Sequence, residues 1–432
     1  MNNAISKVKE YLEEAELEKI AKTLIVPSHD EKVRVYLRFH KEPVTLFGED
    51  RADRRARLRK VMALCKKQDK PVYPPKEDES EDESPIDRTL KGTEELRQAR
   101  LFIAHDCIPR SNARLADEKA LYDSYKADEK SFILSEIDKR RQLRFELAKI
   151  TPYGSQSGFQ RPVSAVNFHP DQDVLAAADW SGTISLFDQN TLEKVASSSE
   201  HNGKVTGVVW GDNVLASGAQ DGRILLHDSS LNQVAVLSGH TSRVAKLDFH
   251  PTKKYLASAG FDEVWNLWDC EKTTCLLSQP GHSKPLYTVS FHPDGNLLLS
   301  GGLDGIGRIW DLRSGKSIMV LDGHLREIYS SGWSFNGYNC FTGGADNNVL
   351  VWDLRQGLKS HEIPAHHNIV SDLHVTRDFI ITASYDQTVR FWDSDTWELL
   401  QSIQTGDKVL SVDYKSTLLG LGRWDRTIDI YC

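Results

Sequence analysis

One short pattern recurs seven times in the C-terminal two thirds of this 432-residue chain. Each copy ends in an aromatic residue or His followed by Asp, or by Cys in the last copy, and the endings lie 40, 41, 42, 42, 40 and 39 residues apart. Short alternating segments broken by Gly, Asp and Asn lie between them, as is typical of antiparallel strands. Seven copies of this length predict a mainly β fold, a seven-bladed β-propeller with four strands per blade. The endings are Phe187-Asp188, His227-Asp228, Trp268-Asp269, Trp310-Asp311, Trp352-Asp353, Trp392-Asp393 and Tyr431-Cys432.

Other positions in each copy are typical of the WD repeat. A Gly-His pair or its equivalent opens most copies, and a turn Asp lies six residues before most of the closing aromatic residues. In the WD-repeat family these positions form a structural tetrad, in which Asp accepts from the His ring, His meets a Ser or Thr hydroxyl, and that hydroxyl meets the Trp N–H. The second copy has His227 in place of Trp, and the first and last copies lack the His. The expected tetrads are His240/Ser258/Asp262/Trp268, His282/Ser300/Asp304/Trp310, His324/Thr342/Asp346/Trp352 and His366/Thr382/Asp386/Trp392.

Catalytic and metal sites are not indicated by these groups. The His, Ser and Asp sets recur once per repeat, so we interpret them as links between strands and not as a hydrolase triad. His361, His366 and His367 lack a carboxylate or Cys at ligand spacing, and the six Cys form no zinc pattern. We therefore expect no catalytic residue, no metal and no cofactor.

Charge divides the chain into two parts. Residues 1–150 contain 32 Lys/Arg and 30 Asp/Glu, whereas residues 151–432 contain 22 and 32 and carry a net charge of −10. The first part is too charged to build a large core, which predicts helices and linkers. No signal peptide and no apolar run of membrane-spanning length is present, which together with the unpaired Cys favours a reduced, intracellular compartment and no membrane partner.

Five segments follow from these patterns. They are a helical N-terminal segment (1–27), a small helical domain (28–67), an acidic flexible linker (68–91), a helical arm (92–142) and the propeller (143–432). In the arm we expect a helix over 93–105, a break at Pro109 and a long helix over 112–141, whose apolar stripe needs the propeller's side or another subunit as a partner. The strand that closes the propeller ring comes from either 143–148 or 153–157.

The small helical domain contains two predicted helices, one through Phe39 and one from Arg51 to about Lys66. The turn between them holds Leu46, Phe47 and Gly48, which either form a docking site or pack the two helices together. The second helix carries five arginines interleaved with acidic residues, which we interpret as a solvated face in preference to a grip on RNA phosphates. These are Arg51, Arg54, Arg55, Arg57 and Arg59.

The stretch VRVYLRFHKEPVTLFGEDRADRRARLRKVM (33–62) resembles the splicing-factor motif that the pre-mRNA processing factor four family joins to a WD-repeat propeller. Several propeller segments, such as GGLDGIGRIWDLRSG (301–315) and IPAHHNIV (363–370), are also similar to that family. The resemblance implies a non-catalytic scaffold subunit of the U4/U6 and U4/U6.U5 spliceosomal particles in the nucleus. Its implied partners are the companion U4/U6 processing factor, a spliceosomal cyclophilin near residues 46–48, and U4/U6 RNA mainly through other proteins.

A ring of residues on one face of the disc is the expected docking surface. The residue before each turn position points away from the tetrad, and four of these seven residues are aromatic, a residue class common in binding hot spots. They are Trp180, Phe261, Tyr385 and Trp424, and local turn packing is the alternative role. The net charge of −10 argues against the propeller as the main RNA surface.

The leading functional alternative is a substrate receptor of a cullin-type ubiquitin ligase, because Trp-Asp-x-Arg boxes begin at Trp310 and Trp352.

Overall fold

The computed structural model describes residues 21, 24, 26–27, 30–43, 51–68 and 93–432. The chain divides into two compact units, residues 1–90 and 91–432. Most of the predicted segments 1–27 and 68–91 lies outside the described residues. Among the helices described, none has the length and apolar character needed to cross a membrane.

The described residues of the first unit include the helices α1 (Asp30–Phe39) and α2 (Arg51–Lys67). Its core is a small apolar cluster in which Val33, Leu37, Leu58 and Met62 are at most 1% exposed. These residues are spaced four apart within each helix, so they share one face. The arginine face is only partly solvated: Arg54, four residues before Leu58, is 5% exposed, and the prediction of a solvated face is wrong for that residue.

The second unit contains the predicted seven-bladed propeller, which is confirmed. Its strands form seven four-stranded antiparallel sheets, and within blades 1 to 6 the strands follow sequence order. Blade 1 is β2–β5, and each later blade takes the next four strands up to blade 6, β22–β25. The strands are β1 Pro152–Ser157, β2 Val163–Phe168, β3 Val174–Asp179, β4 Ile184–Asp188, β5 Lys194–Ser198, β6 Val205–Trp210, β7 Val214–Ala219, β8 Arg223–Asp228, β9 Gln233–Ser238, β10 Val244–Phe249, β11 Tyr255–Gly260, β12 Val264–Asp269, β13 Thr274–Pro280, β14 Leu286–Phe291, β15 Leu297–Gly302, β16 Ile306–Asp311, β17 Lys316–Asp322, β18 Ile328–Trp333, β19 Asn339–Gly344, β20 Val349–Asp353, β21 Leu358–Ile363, β22 Val370–Val375, β23 Phe379–Ser384, β24 Thr388–Asp393, β25 Leu399–Gln404, β26 Val409–Lys415, β27 Leu418–Arg423 and β28 Thr427–Tyr431.

The ring is closed by β1, which completes blade 7 with β26–β28. Gly154 lies opposite Ile430, and Gln156 lies opposite Ile428. Backbone hydrogen bonds of 2.9 and 3.0 Å between Thr151 and Cys432 extend this pairing. Of the two candidate closing segments, 153–157 is therefore the strand, and it gives blade 7 the same four strands as every other blade, with β28 paired on both sides.

The arm consists of α3 (Glu94–Ala127) and α4 (Glu129–Ala148). The segment 143–148 belongs to α4, so the helical arm extends beyond the expected boundary at residue 142. Apolar residues alternate in this segment, a pattern that also fits a strand. Leu143 and Leu147 are four residues apart, however, and lie on one helical face against the apolar cluster of blades 6 and 7.

The predicted break at Pro109 is wrong. Pro109 lies inside α3, although proline cannot supply the usual backbone N–H. The helix continues because contacts with the propeller hold it on both sides of this position. The break occurs instead at Asp128, whose backbone is extended (φ −151°, ψ 92°) and whose carboxylate accepts from the N–H of Ser131 at 3.2 Å, capping α4.

The core of the propeller lies between neighbouring blades. One apolar cluster, for example, joins Leu226 and Leu237 of blade 2 to Phe249 and Trp268 of blade 3. Polar side chains also connect the inner strands: the N–H of Phe291 in blade 4 donates to Asp248 in blade 3 at 2.6 Å. The blades therefore depend on one another for burial.

Candidate functional site

The structure brings together the four groups of each predicted tetrad. In blade 3, the His240 ring lies 2.9 Å from the Asp262 carboxylate and 2.7 Å from the Ser258 hydroxyl, which accepts from the Trp268 indole at 2.8 Å. Blades 4, 5 and 6 repeat this arrangement, with His–Asp distances of 3.2, 2.9 and 3.0 Å and indole–hydroxyl distances of 2.8, 2.9 and 3.0 Å. Each tetrad thus ties the turn of its blade, and the loop that enters the blade, to its two middle strands.

The hydroxyls of the tetrads cannot act on a substrate in this arrangement. The four hydroxyl residues, Ser258, Ser300, Thr342 and Thr382, are 0% exposed. The carboxylates hold the His rings from the turn side. Burial raises the pKa of Asp262, but the hydrogen bond and charge interaction with His240, together with backbone N–H donors, outweigh burial and leave that pKa below its ordinary value. The arrangement is suited to holding strands together.

Blade 2 has an incomplete tetrad. His201 lies 2.8 Å from Ser217 but 3.8 Å from Asp221, and His227 occupies the place of the Trp, 3.5 Å from Glu200. In blades 3, 4 and 5 a glycine stands where Glu200 does, and a Cβ on that glycine would come within 2.6–2.9 Å of the Trp ring. The smaller imidazole of His227 therefore accompanies a larger neighbour at position 200.

The buried histidines predict that the propeller is sensitive to acid. Burial lowers the pKa of His201 and of His250 to about 4, and it also lowers the pKa of His169, His227 and His292. Between about pH 6.5 and 4 the unfolded chain therefore binds more protons than the folded chain, and stability falls as the pH falls. Burial raises the pKa of Asp248 to about 6 and also raises the pKa of Asp395 and Asp429, so three carboxyl groups oppose the trend of the five histidines.

We expect the melting temperature to drop between pH 7 and pH 5, as followed by circular dichroism. The His201→Gln variant should lose less stability than wild type over the same interval, because one of the titrating groups is gone. An unchanged melting temperature across this interval would contradict the prediction.

All seven turn residues of the predicted ring lie at one face of the disc. The backbone N–H of each donates to the carbonyl of the residue at the entrance to the inner strand of its own blade, as in Phe261 to Arg243 at 2.8 Å and Trp424 to Lys408 at 3.0 Å. The same bond is repeated in every blade, so the ring encircles the mouth of the central channel. The seven residues are Trp180, Gln220, Phe261, Leu303, Ala345, Tyr385 and Trp424.

Six aromatic residues form what we call the aromatic arc on this face. Trp424 contacts Trp180 and Tyr385, with ring centroids 5.1 and 6.5 Å apart. Tyr287 contacts Phe261 and Tyr329, at 6.2 and 4.8 Å. The sequence reasoning missed Tyr287 and Tyr329; the available signal was a tyrosine at the same inner-strand position in two consecutive repeats. The arc is Trp180, Trp424, Tyr385, Tyr329, Tyr287 and Phe261.

Cationic side chains stack on the aromatic arc. Arg243 lies 4.9 Å from the ring centre of Phe261, and Lys204 lies 5.0 Å from that of Trp180. Lys408 lies between Tyr385 and Trp424, at 5.7 and 5.4 Å. The face that carries the predicted docking residues is therefore aromatic and locally basic, although residues 151–432 as a whole are acidic.

The helical arm occupies the opposite face of the disc. Leu96, Ala99 and Ile103 of α3 are buried against blades 3 and 4. Further along α3, Arg114 pairs with the buried Asp294 at 2.8 Å, and Ser111 donates to the same carboxylate at 2.9 Å.

Near its other end, the arm contacts blade 6. In α4, Arg140 lies 3.5 Å from Asp393 and Arg144 lies 3.1 Å from Glu398. The arm's partner, left open by the sequence, is thus the propeller at both ends of the helix pair. Side chains between these ends, including most of the predicted stripe, are solvent-exposed: Tyr122, Tyr125, Ile133 and Ile137 are 37–55% exposed.

Leu46, Phe47 and Gly48, the other predicted docking residues, lie outside the described residues. The helices that flank them, α1 and α2, pack through the Val33, Leu37, Leu58 and Met62 cluster.

Comparison with known proteins gives two family matches. Residues 33–61 match the family described as pre-mRNA processing factor 4 (PRP4) like. The WD domain, G-beta repeat family matches residues 150–188, 231–269, 273–311, 315–353 and 357–393. The two repeats that are not matched end in His227 and Tyr431, whereas the first repeat, which ends in Phe187, is matched.

Individual relatives extend these matches. The chain is 40% identical to U4/U6 small nuclear ribonucleoprotein PRP4 of Saccharomyces cerevisiae over 94% of this chain and 90% of that protein. It is 37% identical to an uncharacterised WD repeat-containing protein of Schizosaccharomyces pombe over 58% of this chain and 55% of that protein. It is 35% identical to human U4/U6 small nuclear ribonucleoprotein Prp4 over 46% of this chain and 38% of that protein. With both the motif at 33–61 and the propeller accounted for, the chain belongs to the pre-mRNA processing factor 4 (PRP4)-like family of WD-repeat proteins.

Proposed function

We propose that this chain is a non-catalytic scaffold subunit of the U4/U6 spliceosomal particle, and then of the U4/U6.U5 particle, in nuclear pre-mRNA splicing. The observation that carries this proposal is the 40% identity with the budding-yeast U4/U6 protein along 94% of the chain. An alignment of that extent includes the helical segment as well as the propeller. It therefore supports a shared role for the combination, which a match to WD repeats alone would not.

A scaffold role agrees with how the propeller uses its polar groups. The tetrad hydroxyls could be taken for nucleophiles from their sequence pattern. They are buried, and they accept hydrogen bonds from the Trp indoles. Meanwhile one face of the disc carries the aromatic arc and the other holds the arm. Such a body offers separate surfaces to separate partners.

The proposed direct partner is the companion U4/U6 processing factor. We assign its docking to the predicted residues of the aromatic arc, Trp180, Phe261, Tyr385 and Trp424, because exposed aromatic side chains supply much of the energy of protein interfaces. U4/U6 RNA is then held mainly through that partner. A spliceosomal cyclophilin, if it takes part, is assigned to Leu46, Phe47 and Gly48.

Purification of the affinity-tagged full chain from nuclear extract of its own organism tests the proposal. RNA in the eluate is identified by sequencing, and U4 and U6 should be enriched over U1, the internal control. Co-purification of a cullin adaptor without these RNAs would instead favour the ubiquitin-ligase alternative.

Phe261→Ala should weaken capture of the companion factor from extract by roughly ten-fold, the effect of losing one aromatic hot-spot side chain. The measurement is quantitative pull-down with tagged full chain. Phe335→Ala is the matched control, because Phe335 is a phenylalanine that is 54% exposed in the β18–β19 loop, on the face opposite the arc. Equal capture by both variants would remove Phe261 from the docking surface.

A further inference from the structure

A cleft opens on the aromatic face where blade 1 meets blade 7. Its volume is about 680 Å³, which lies within the range of about 300–1,000 Å³ common for small-molecule sites. It is lined by two indoles, three cations and one carboxylate: Trp180, Trp424, Arg161, Lys204, Arg426 and Asp425. These residues come from three different blades, so only the closed ring brings them together.

The three cations of the cleft have no anionic partner. Among the described residues, the side chains of Arg161, Lys204 and Arg426 form no hydrogen bond or ion pair, and Lys204 instead stacks on Trp180. The single carboxylate, Asp425, is already engaged by Arg423 at 3.1 Å and by the Thr427 hydroxyl at 2.6 Å. The cleft is therefore a site of uncompensated positive charge on an otherwise acidic propeller.

The two indoles make the cleft more than a basic patch. Trp180 and Trp424 meet edge to face, with their ring planes at 87°, and Trp424 remains 39% exposed. Flat aromatic surfaces flanked by lysine and arginine are the arrangement by which proteins bind single-stranded nucleic acid: bases stack on the rings and phosphates pair with the cations. An acidic peptide would use the cations but would gain little from the indole faces.

We propose that this cleft binds single-stranded nucleic acid, with a base stacked on Trp424 and phosphates held by Arg161, Lys204 and Arg426. The proposal concerns the purified chain alone and does not depend on the splicing role. It makes the cleft a local exception to the expectation that an acidic propeller leaves RNA to its partners. Trp180 and Trp424 are also among the residues assigned above to the companion factor, so that protein and the strand compete for the cleft, whereas Phe261 and Tyr385 stay available to the protein alone.

The test is fluorescence anisotropy of the full chain with a labelled oligouridine of about ten residues, a length suited to sites of this kind. A duplex of the same length and a thymidine oligonucleotide are the comparison ligands. We expect the single strands to bind more tightly than the duplex. Comparison of uridine with thymidine strands then distinguishes RNA from DNA as the preferred source.

Two variants separate stacking from charge. Trp424→Ala should weaken binding by roughly ten-fold through loss of one stacked base. Arg426→Asn should lower the dependence of log K on log salt concentration by about 0.7, the value for one lost phosphate contact on a single strand. Asparagine suits the left-handed backbone at this position, where φ is 69°, so the turn should be kept. Arg377→Ala, an exposed arginine in the β22–β23 loop of the opposite face, should change neither quantity.

Three results would overturn the proposal. The first is no binding of the oligouridine above that of the duplex. The second is unchanged affinity in Trp424→Ala while the variant retains the wild-type melting temperature. The third is displacement of the oligouridine by an oligoglutamate of equal charge at equal concentration, which would assign the cleft to an acidic protein segment.

Discussion

Replacing Trp268 by alanine should lower the free energy of unfolding of the propeller by about 3–5 kcal/mol, as is usual for loss of a buried aromatic side chain. Trp268 is 1% exposed and packs between blades 2 and 3. Its indole also donates to Ser258, so the substitution removes a tetrad bond as well as apolar contact. Urea unfolding of the purified chain, followed by circular dichroism, measures the change.

Trp424→Ala is the matched control, because it removes the same side chain from a position that is 39% exposed. Its cost should stay below about 1 kcal/mol, in the range of surface substitutions.

Ser258→Ala should cost about 1–3 kcal/mol, because His240 and Trp268 lose their shared partner. The double variant Ser258→Ala/Trp268→Ala should lose less than the sum. If the free energy of unfolding of Trp268→Ala were no lower than that of Trp424→Ala, the tetrads would not hold the blades together.

Replacing Arg114 by alanine should loosen the arm from the propeller and lower the free energy of unfolding by about 2–3 kcal/mol, less than the about 3–5 kcal/mol of a fully buried pair because the Arg114 side chain is 19% exposed. Arg114 makes a two-pronged contact with Asp294, whose side chain is 4% exposed, and truncation leaves that charge in place with a single side-chain donor, Ser111. Removing one partner of a buried ion pair is costly for this reason. Hydrogen–deuterium exchange measures the effect, with faster exchange expected across α3 and unchanged exchange in the inner strands.

The control for the arm is Arg97→Ala, which lies on the same helix. Arg97 pairs with Glu94 at 3.4 Å, but both side chains are about two-thirds exposed or more (72% and 66%), so its removal should cost less than about 0.5 kcal/mol. Equal exchange in the two variants would contradict the conclusion that Asp294 anchors the arm.

The blade count and the tetrads could be predicted because they follow from local repetition. Each repeat carries its own His, hydroxyl, Asp and Trp, and the fold only has to bring together residues about twenty to thirty positions apart. The structure places those groups within hydrogen-bonding distance in four blades. The same logic indicated where the pattern fails, at His227.

The features that were missed depend on contacts distant in sequence. The pattern of residues 143–148 fits a strand as well as a helix, and only packing of Leu147 against blades 6 and 7 decides between them. Likewise, the helix continues through Pro109 because Ser111 and Arg114 meet Asp294, about 180 residues away. No local signal reports such a contact.

The candidate interaction face was predicted only in part, because some of its contacts also join residues distant in sequence. The turn aromatics could be located from their place before each turn Asp, but their joining into an arc required Tyr287 and Tyr329, which belong to inner strands. The cleft at Trp180 and Trp424 requires ring closure, which places the first and last blades side by side. Net charge could not indicate the local group of cations at the cleft, because it is a sum over the whole propeller.

Membership of the U4/U6 particle is the central proposal, and we propose that the small helical unit matched at residues 33–61 is needed for it alongside the aromatic arc. The most direct measurement is recovery of U4 and U6 RNA with tagged Leu37→Asp chain, which carries a charge in the buried cluster of that unit, compared with Ala56→Asp, an exposed position of α2. The account predicts that Leu37→Asp loses both RNAs while its propeller melts at the wild-type temperature, and that Ala56→Asp keeps them. Full recovery of U4 and U6 with Leu37→Asp would contradict it.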